Sequence, residues 1–354
     1  MARTPASGIQ HTIRAGEYEA VIASVGATLR SLTFAGRDLV VPFGADEVRP
    51  AHRGATLAPW PNRVVDGAYS FGGREFQLAL TEPARAHALH GLATWLDFDA
   101  VDAGADHVVL EAVIPPQTAY PWRLLVRASF ALGADGLTQS VTVHNESDAP
   151  APWGTGPHPY LVAGEGRVDQ WTLTLPADQV LAVTPERLIP TTLRPVDADD
   201  PARFDFRAAR RIGAVEIDHA YTDLVRDGDG HATVTLTADD GSGVLQDNPI
   251  GEFSQWMEYC RATFVPRTVH LNPGCNAAKG DWYTTEGAEL YIAPAGPPGP
   301  PPSAPGEPPV EMQPGGPPPG MMQPSGPPPG MMQPGGPPPG MMHPGGPPPG
   351  MMPP

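Results

Sequence analysis

Apolar and polar residues alternate along most of the first two thirds of the chain, with the period of 2 that half-buried strands require. Residues 18–23 (Tyr-Glu-Ala-Val-Ile-Ala) and 28–34 (Thr-Leu-Arg-Ser-Leu-Thr-Phe) show it first. The turn Ala35-Gly36-Arg37-Asp38 then leads into an apolar run at 39–43. Similar runs at 107–114, 122–132, 137–144, 170–175 and 232–236 are separated by Gly, Pro, Asp and Asn, the residues that punctuate short strands. No dozen residues carry a 3.6-residue period, and 202–211 is short and charged enough for a marginal helix at most. Past Gly241 the pattern loosens: 247–251 is turn chemistry, 253–265 has no clear period, and strand character returns at 268–271 and 289–292. Many short strands in one long stretch predict an all-β domain built as a large antiparallel β-sandwich or barrel, over about 10–294.

Composition changes the picture only after residue 294. The 354-residue chain has 48 prolines, and 26 of them lie in 295–354, a stretch with no lysine, arginine or aromatic side chain. From Gln313 it repeats Gln-Pro-Gly-Gly-Pro-Pro-Pro-Gly-Met-Met every ten residues, with Ser325 and His343 as the departures from the unit. Such a segment cannot bury enough apolar surface to offset its ordering entropy, so a disordered tail with local polyproline II is expected. Repeated polyproline could dock an aromatic groove on a proline-rich-motif partner, or simply be a solvated appendage. The domain division expected is therefore 1–294 and 295–354.

Charge narrows the function classes. A net charge of −17 repels phosphate backbones, which argues against nucleic acid as a partner. No apolar stretch is long enough for a membrane span, and 1–16 is polar, without the apolar core of a signal peptide. Cys260 and Cys275 fit neither a metal spacing nor a disulfide framework. A cytoplasmic setting is the expectation.

Three clusters could carry chemistry. In Ala58-Pro59-Trp60-Pro61-Asn62-Arg63, two prolines stiffen a loop that offers an aromatic face beside a forked donor. That pairing suits a polyhydroxylated ligand, although composition alone favours a rigid surface turn with a solvated arginine. In His87-Ala88-Leu89-His90-Gly91, imidazole suits proton transfer near neutral pH and Gly91 lets a ligand approach the backbone closely. His87 and His90 could ligate a metal, but the chain offers no third ligand of fitting spacing, so no metal is expected. In Gly154-Thr155-Gly156-Pro157-His158-Pro159-Tyr160, a histidine between two prolines has little backbone freedom and stays aimed.

Taken together and in this order, Trp60-Pro61-Asn62-Arg63, Leu89-His90-Gly91 and His158-Pro159-Tyr160 resemble the aldose 1-epimerases, or galactose mutarotases. Ile217-Asp218-His219-Ala220-Tyr221 looks like that family's aspartate segment. The resemblance spans about 9–236. It implies a galactose-mutarotase-type β-sandwich with an open sugar cleft, interconverting the α and β anomers of a free aldose without a cofactor. It further implies that His158 protonates the ring oxygen with His90 assisting, and that Arg63 and Asp218 hold sugar hydroxyls, with Trp60 and Asn62 in the substrate site.

The base of that family is a glutamate in a C-terminal Glu-Pro segment, and no Glu-Pro stands in the matching place here. Instead, Val269-His270-Leu271-Asn272-Pro273-Gly274 and 277–281 look like the hexose-6-phosphate mutarotase branch, a register that puts Ala293 at the base position. Glu258, Glu286 and Glu289 are the other candidates, with Glu289, near the start of that strand, the first to test. The competing expectation is a sugar-binding, mutarotase-like protein that has lost its base.

Overall fold

Strands 10–15, 18–23 and 28–34 form because alternate side chains find a common buried face. The computed structural model describes residues 3–228, 230–248, 276–277, 282–284 and 290–293. Contacts divide the chain into Met1–Pro300 and Pro301–Pro354, and every described strand belongs to the first unit. Gln10–Ala15, Tyr18–Ala23, Thr28–Phe34 and Arg37–Asp38 pair in chain order as an antiparallel meander. Ala35 and Gly36 close its last hairpin with φ of 49° and 77°, the positive values that a two-residue hairpin turn demands.

The second sheet is larger. Its order runs Asp99–Ala103, His107–Ile114, Leu124–Leu132, Leu137–Asn145, Leu290–Ala293, Gly243–Asn248, Ala232–Thr237, Thr172–Thr174 and Arg210–Arg211. Trp282–Thr284 also pairs with Leu137–Asn145. The long central hairpin alternates strictly: Leu124, Val126, Ala128, Phe130 and Leu132 point inward on one strand, Leu137, Gln139, Val141, Val143 and Asn145 on the other. The apolar members share one core with Ile13, Ile22 and Leu32 of the meander, so the two sheets pack face to face. Every ladder between described strands is antiparallel. The expected all-β sandwich is the fold observed. Among the described residues the single α-helix is the turn Pro201–Phe204, capped by the Asp200 carboxylate accepting from the Arg203 N–H at 3.2 Å.

Two local expectations change. Residues 39–43 form no strand; Val40 makes one bridge to Leu161, and Pro42 removes the donor a ladder would need next. The strand Gly243–Asn248 reaches into the 247–251 segment expected to be a turn, because it is paired on both sides. Residues 268–271, Glu258, Glu286, Glu289, both cysteines and the tail 295–354 lie outside the described residues.

Candidate functional site

Two residues without chemistry of their own assemble the site. Ala58 and Pro59 are buried, and their carbonyls bind the chain on either side. The Ala58 oxygen accepts from Leu92 N–H at 2.7 Å and Ala93 N–H at 2.9 Å; the Pro59 oxygen accepts from Gly154 N–H at 2.7 Å. Just before them Thr56–Leu57 pairs with Gly156–Pro157, and just after them Arg63–Val65 pairs with His87–Leu89. All three sequence clusters therefore converge on one loop. Gly91 has a specific part in this: at φ +77° it bridges Ala58, and a Cβ there would lie closer than 3.0 Å to the Ala58 carbonyl. On the side where a Cβ would stand, what approaches Gly91 is the protein's own backbone.

His90 and His158 face each other with ring centroids 5.0 Å apart at 70°. A third imidazole, His52, stands 4.8 Å from His90, and Trp95 lies 5.9 Å beyond His52. Asn62 and His90 clasp each other: His90 N–H donates to Asn62 O at 2.9 Å, and Asn62 N–H donates to His90 Nδ1 at 3.0 Å. Because Nδ1 accepts, the neutral ring carries its proton on Nε2, leaving a donor for a ligand oxygen. His52, Asn62 and His90 all have left-handed φ (56°, 59° and 61°), a concentration of backbone strain of the kind that collects at functional sites.

Burial dominates the electrostatics. Desolvation, with help from neighbouring cationic and imidazole groups, lowers His52 to about 4 and His90 to about 3. Desolvation also lowers His158, opposed by a backbone hydrogen bond and reinforced by Arg49. Burial thus favours the neutral form of all three rings. Nearby, the Arg63 guanidinium grips Glu82 through two bonds, Nε–Oε2 at 2.7 Å and Nη2–Oε1 at 3.0 Å, and Arg85 adds a third at 2.9 Å. The Arg63 bonds, foremost, hold the Glu82 carboxyl at about 2.

The structure amends several sequence expectations. Arg63 is no free fork: two nitrogens serve Glu82 and Nη1 reaches Asn62 Oδ1 at 3.3 Å, which leaves two of its N–H groups uncommitted. Trp60 is half-buried and packs against the core beside Tyr120, centroids 6.4 Å apart. Asp218 is exposed on an irregular segment; its N–H donates to His219 Nδ1 at 3.2 Å, and no contact among the described residues joins it to His90 or His158. Its neighbour strand Tyr221–Leu224 pairs with Ala177–Val183, whose hairpin tip is fastened to the site strand by Arg187. That arginine donates from Nε to Arg85 O at 2.9 Å, and its own carbonyl meets His87 Nε2 at 2.7 Å. His87 is fully buried there, its Nε2 engaged with that carbonyl. Arg49, His52, Glu82 and Trp95 join the site from outside the three sequence motifs. A signal for the first two was available in Arg49-Pro50-Ala51-His52-Arg53, basic and stiffened, just ahead of the Trp60 motif.

The family model of aldose 1-epimerase matches residues 10–265. The chain belongs to the aldose 1-epimerase family. The Escherichia coli K12 protein YihR is 40% identical over 216 residues, 61% of this chain and 69% of that protein. Among solved structures, galactose 1-epimerase from Lactobacillus acidophilus NCFM superposes with a TM-score of 0.59 at 17% identity, covering 80% of this chain and 92% of that one. The GalM/aldose epimerase homologue from C. elegans gives 0.59 at 17% identity, covering 81% and 89%. At such identities the structures speak for the fold, a galactose-mutarotase sandwich. Among the described residues no helix is long and apolar enough to cross a membrane.

Proposed function

We propose that the protein interconverts the α and β anomers of a free, uncharged aldose. The carrying observation is the His90–His158 pair, its rings 5.0 Å apart on two segments that are both hydrogen-bonded to the Ala58–Pro59 loop, with burial favouring their neutral forms. In the forward step a base takes the proton of the C1 hydroxyl, the C1–ring-oxygen bond breaks, and its electron pair goes to the ring oxygen, which His158 protonates. Rotation about C1–C2 and the reverse steps close the ring on the other face. An imidazole kept neutral by its surroundings can still deliver its N–H to an oxygen that is becoming an alkoxide. His90, with its proton on Nε2, donates a hydrogen bond to a sugar oxygen. Arg63, braced by Glu82, offers its remaining N–H groups to hydroxyls, and Asp218 would accept from another.

An uncharged substrate fits the engagement of the nearby cations. Arg63 is paired with Glu82, and Arg53 donates to Pro42 O at 3.0 Å beside the Tyr160 ring. Arg49 is 5% exposed and bonded to oxygens of Val25 and Thr28, which leaves no open guanidinium cluster for a phosphate among these three. A second reading, a sugar binder without turnover, is favoured by the alanine at 293, which is 5% exposed in the sheet opposite Leu245. Polarimetry of freshly dissolved α-D-glucose or α-D-galactose separates the two. Acceleration above buffer that falls by roughly 10²–10⁴ in kcat in His158→Ala supports the enzyme. Calorimetric sugar binding without acceleration supports the binder.

A further inference from the structure

Trp95 is 54% exposed, yet the chain around it is fastened on every side. Ala93 N–H donates to Ala58 O at 2.9 Å, Gly26 N–H to Leu96 O at 2.7 Å, and Val25 bridges Asp97. The buried Arg49 lies under the indole, its guanidinium carbon 4.5 Å from the ring centroid. Arg49 is itself held by Val25 O at 3.1 Å, Thr28 Oγ1 at 2.6 Å and the Thr94 carbonyl. A lone exposed apolar side chain is ordinary, but an exposed indole clamped on one face by a buried guanidinium is an oriented surface. Its place matters as much: Trp95, His52, His90 and His158 form a continuous row of rings, at 5.9, 4.8 and 5.0 Å between successive centroids.

We propose that Trp95 is the stacking platform of this site, receiving the apolar C–H face of an uncharged aldopyranose whose oxygens meet the histidines. The inference rests on the sugar-site reading and deepens it. It gives to Trp95 the role that the sequence suggests for Trp60. The indole supplies flat, rigid apolar area at little entropic cost, and Arg49 sets its direction in advance of binding. Arg49 and His52 are positioning residues in this scheme, whereas Trp95 touches substrate.

The test uses the full chain with Trp95→Ala and Trp95→Phe. Polarimetric kcat and KM on D-galactose and D-glucose are measured alongside calorimetric Kd and thermal melts. Trp95→Ala should raise KM and Kd about 3- to 10-fold with kcat within about twofold, and Trp95→Phe should recover most of the affinity. Unchanged KM and Kd in Trp95→Ala overturns the proposal. So does a joint fall of kcat and melting temperature in both variants, which would make the indole a structural prop. If the wild type binds sugar without turnover and Trp95→Ala weakens that binding, the platform stands and the anomerase reading fails. If the wild type binds neither sugar, both fail.

Discussion

Gly91→Ala tests the assembly of the site at its tightest point. The backbone at 91 has φ +77°, where an alanine costs about 1–2 kcal/mol. Its Cβ would also stand closer than 3.0 Å to the Ala58 carbonyl and 2.9 Å from Pro59 N, all backbone atoms that no rotamer change can move aside. The two chains must separate, stretching the bonds from Leu92 and Ala93 to the Ala58 oxygen, each worth about 0.5–1.5 kcal/mol. The sum is about 2–5 kcal/mol, or a melting temperature lower by roughly 4–20 °C at the scale of a domain this size. Function should suffer more than stability, because His90 is the adjacent residue and its clasp with Asn62 moves with it. A displacement near 1 Å lowers kcat/KM on the order of 10²-fold. Thermal or urea unfolding and polarimetry on one preparation read both effects. A Gly91→Ala protein melting within about 2 °C of wild type, with kcat/KM within about twofold, would refute the claim that this contact sets the site.

Other variants and conditions address the remaining parts. Glu82→Gln leaves the Arg63 guanidinium without its charge partner in a mostly buried place, and should cost about 2–4 kcal/mol in urea unfolding while raising KM more than it lowers kcat. Acid should destabilise the fold through the histidines. With folded values of about 4 for His52 and about 3 for His90, both below the ordinary 6.5, their contribution is complete above pH 6.5 and is lost as pH falls toward 4 and 3. The expected slope is up to about 1.4 kcal/mol per pH unit for each imidazole, less for the more exposed His52. Unfolding midpoints that stay level from pH 7 to 5 would contradict it. Ala293→Glu buries a carboxylate in the sheet and should lower the melting temperature. A large loss of kcat in Glu289→Gln would put the base at 289, whereas a gain of rate in Ala293→Glu would put it at 293.

Legibility from sequence followed the range of the interactions involved. Tyr18–Ala23 and Thr28–Phe34 were readable because alternation and the Ala35-Gly36 turn are local properties. Gly243–Asn248 was not, since its strand character comes from partners on both sides, one of them distant in the chain. The same divide runs through the site. His90 and His158 sit in stiff, distinctive neighbourhoods rich in glycine or proline, and the clusters around them do meet. Trp60 carried a plausible chemistry, but the core it packs against, including Tyr120, is assembled from elsewhere in the chain. Trp95 lies just past His90-Gly91, yet only the distant Arg49, folded beneath it, makes its exposed face informative.

Asn62 shows how backbone geometry and proton chemistry become one matter here. Its φ of 59° is a conformation that asparagine tolerates better than other non-glycine residues, and that conformation accompanies an N–H directed at His90 Nδ1. A donor at that nitrogen excludes the Nδ1–H tautomer and opposes protonation of the ring. Burial acts in the same direction, so the imidazole is held with Nε2–H as its one donor. The side chain is occupied separately, with Oδ1 accepting from Arg63 Nη1 at 3.3 Å. A glycine could supply the φ but not that acceptor, and an aspartate would supply the acceptor with a negative charge that raises the histidine it is meant to keep neutral. Asparagine meets the conformational, hydrogen-bonding and electrostatic demands at once, which is a physical reason for the motif to read Pro-Asn-Arg at this turn.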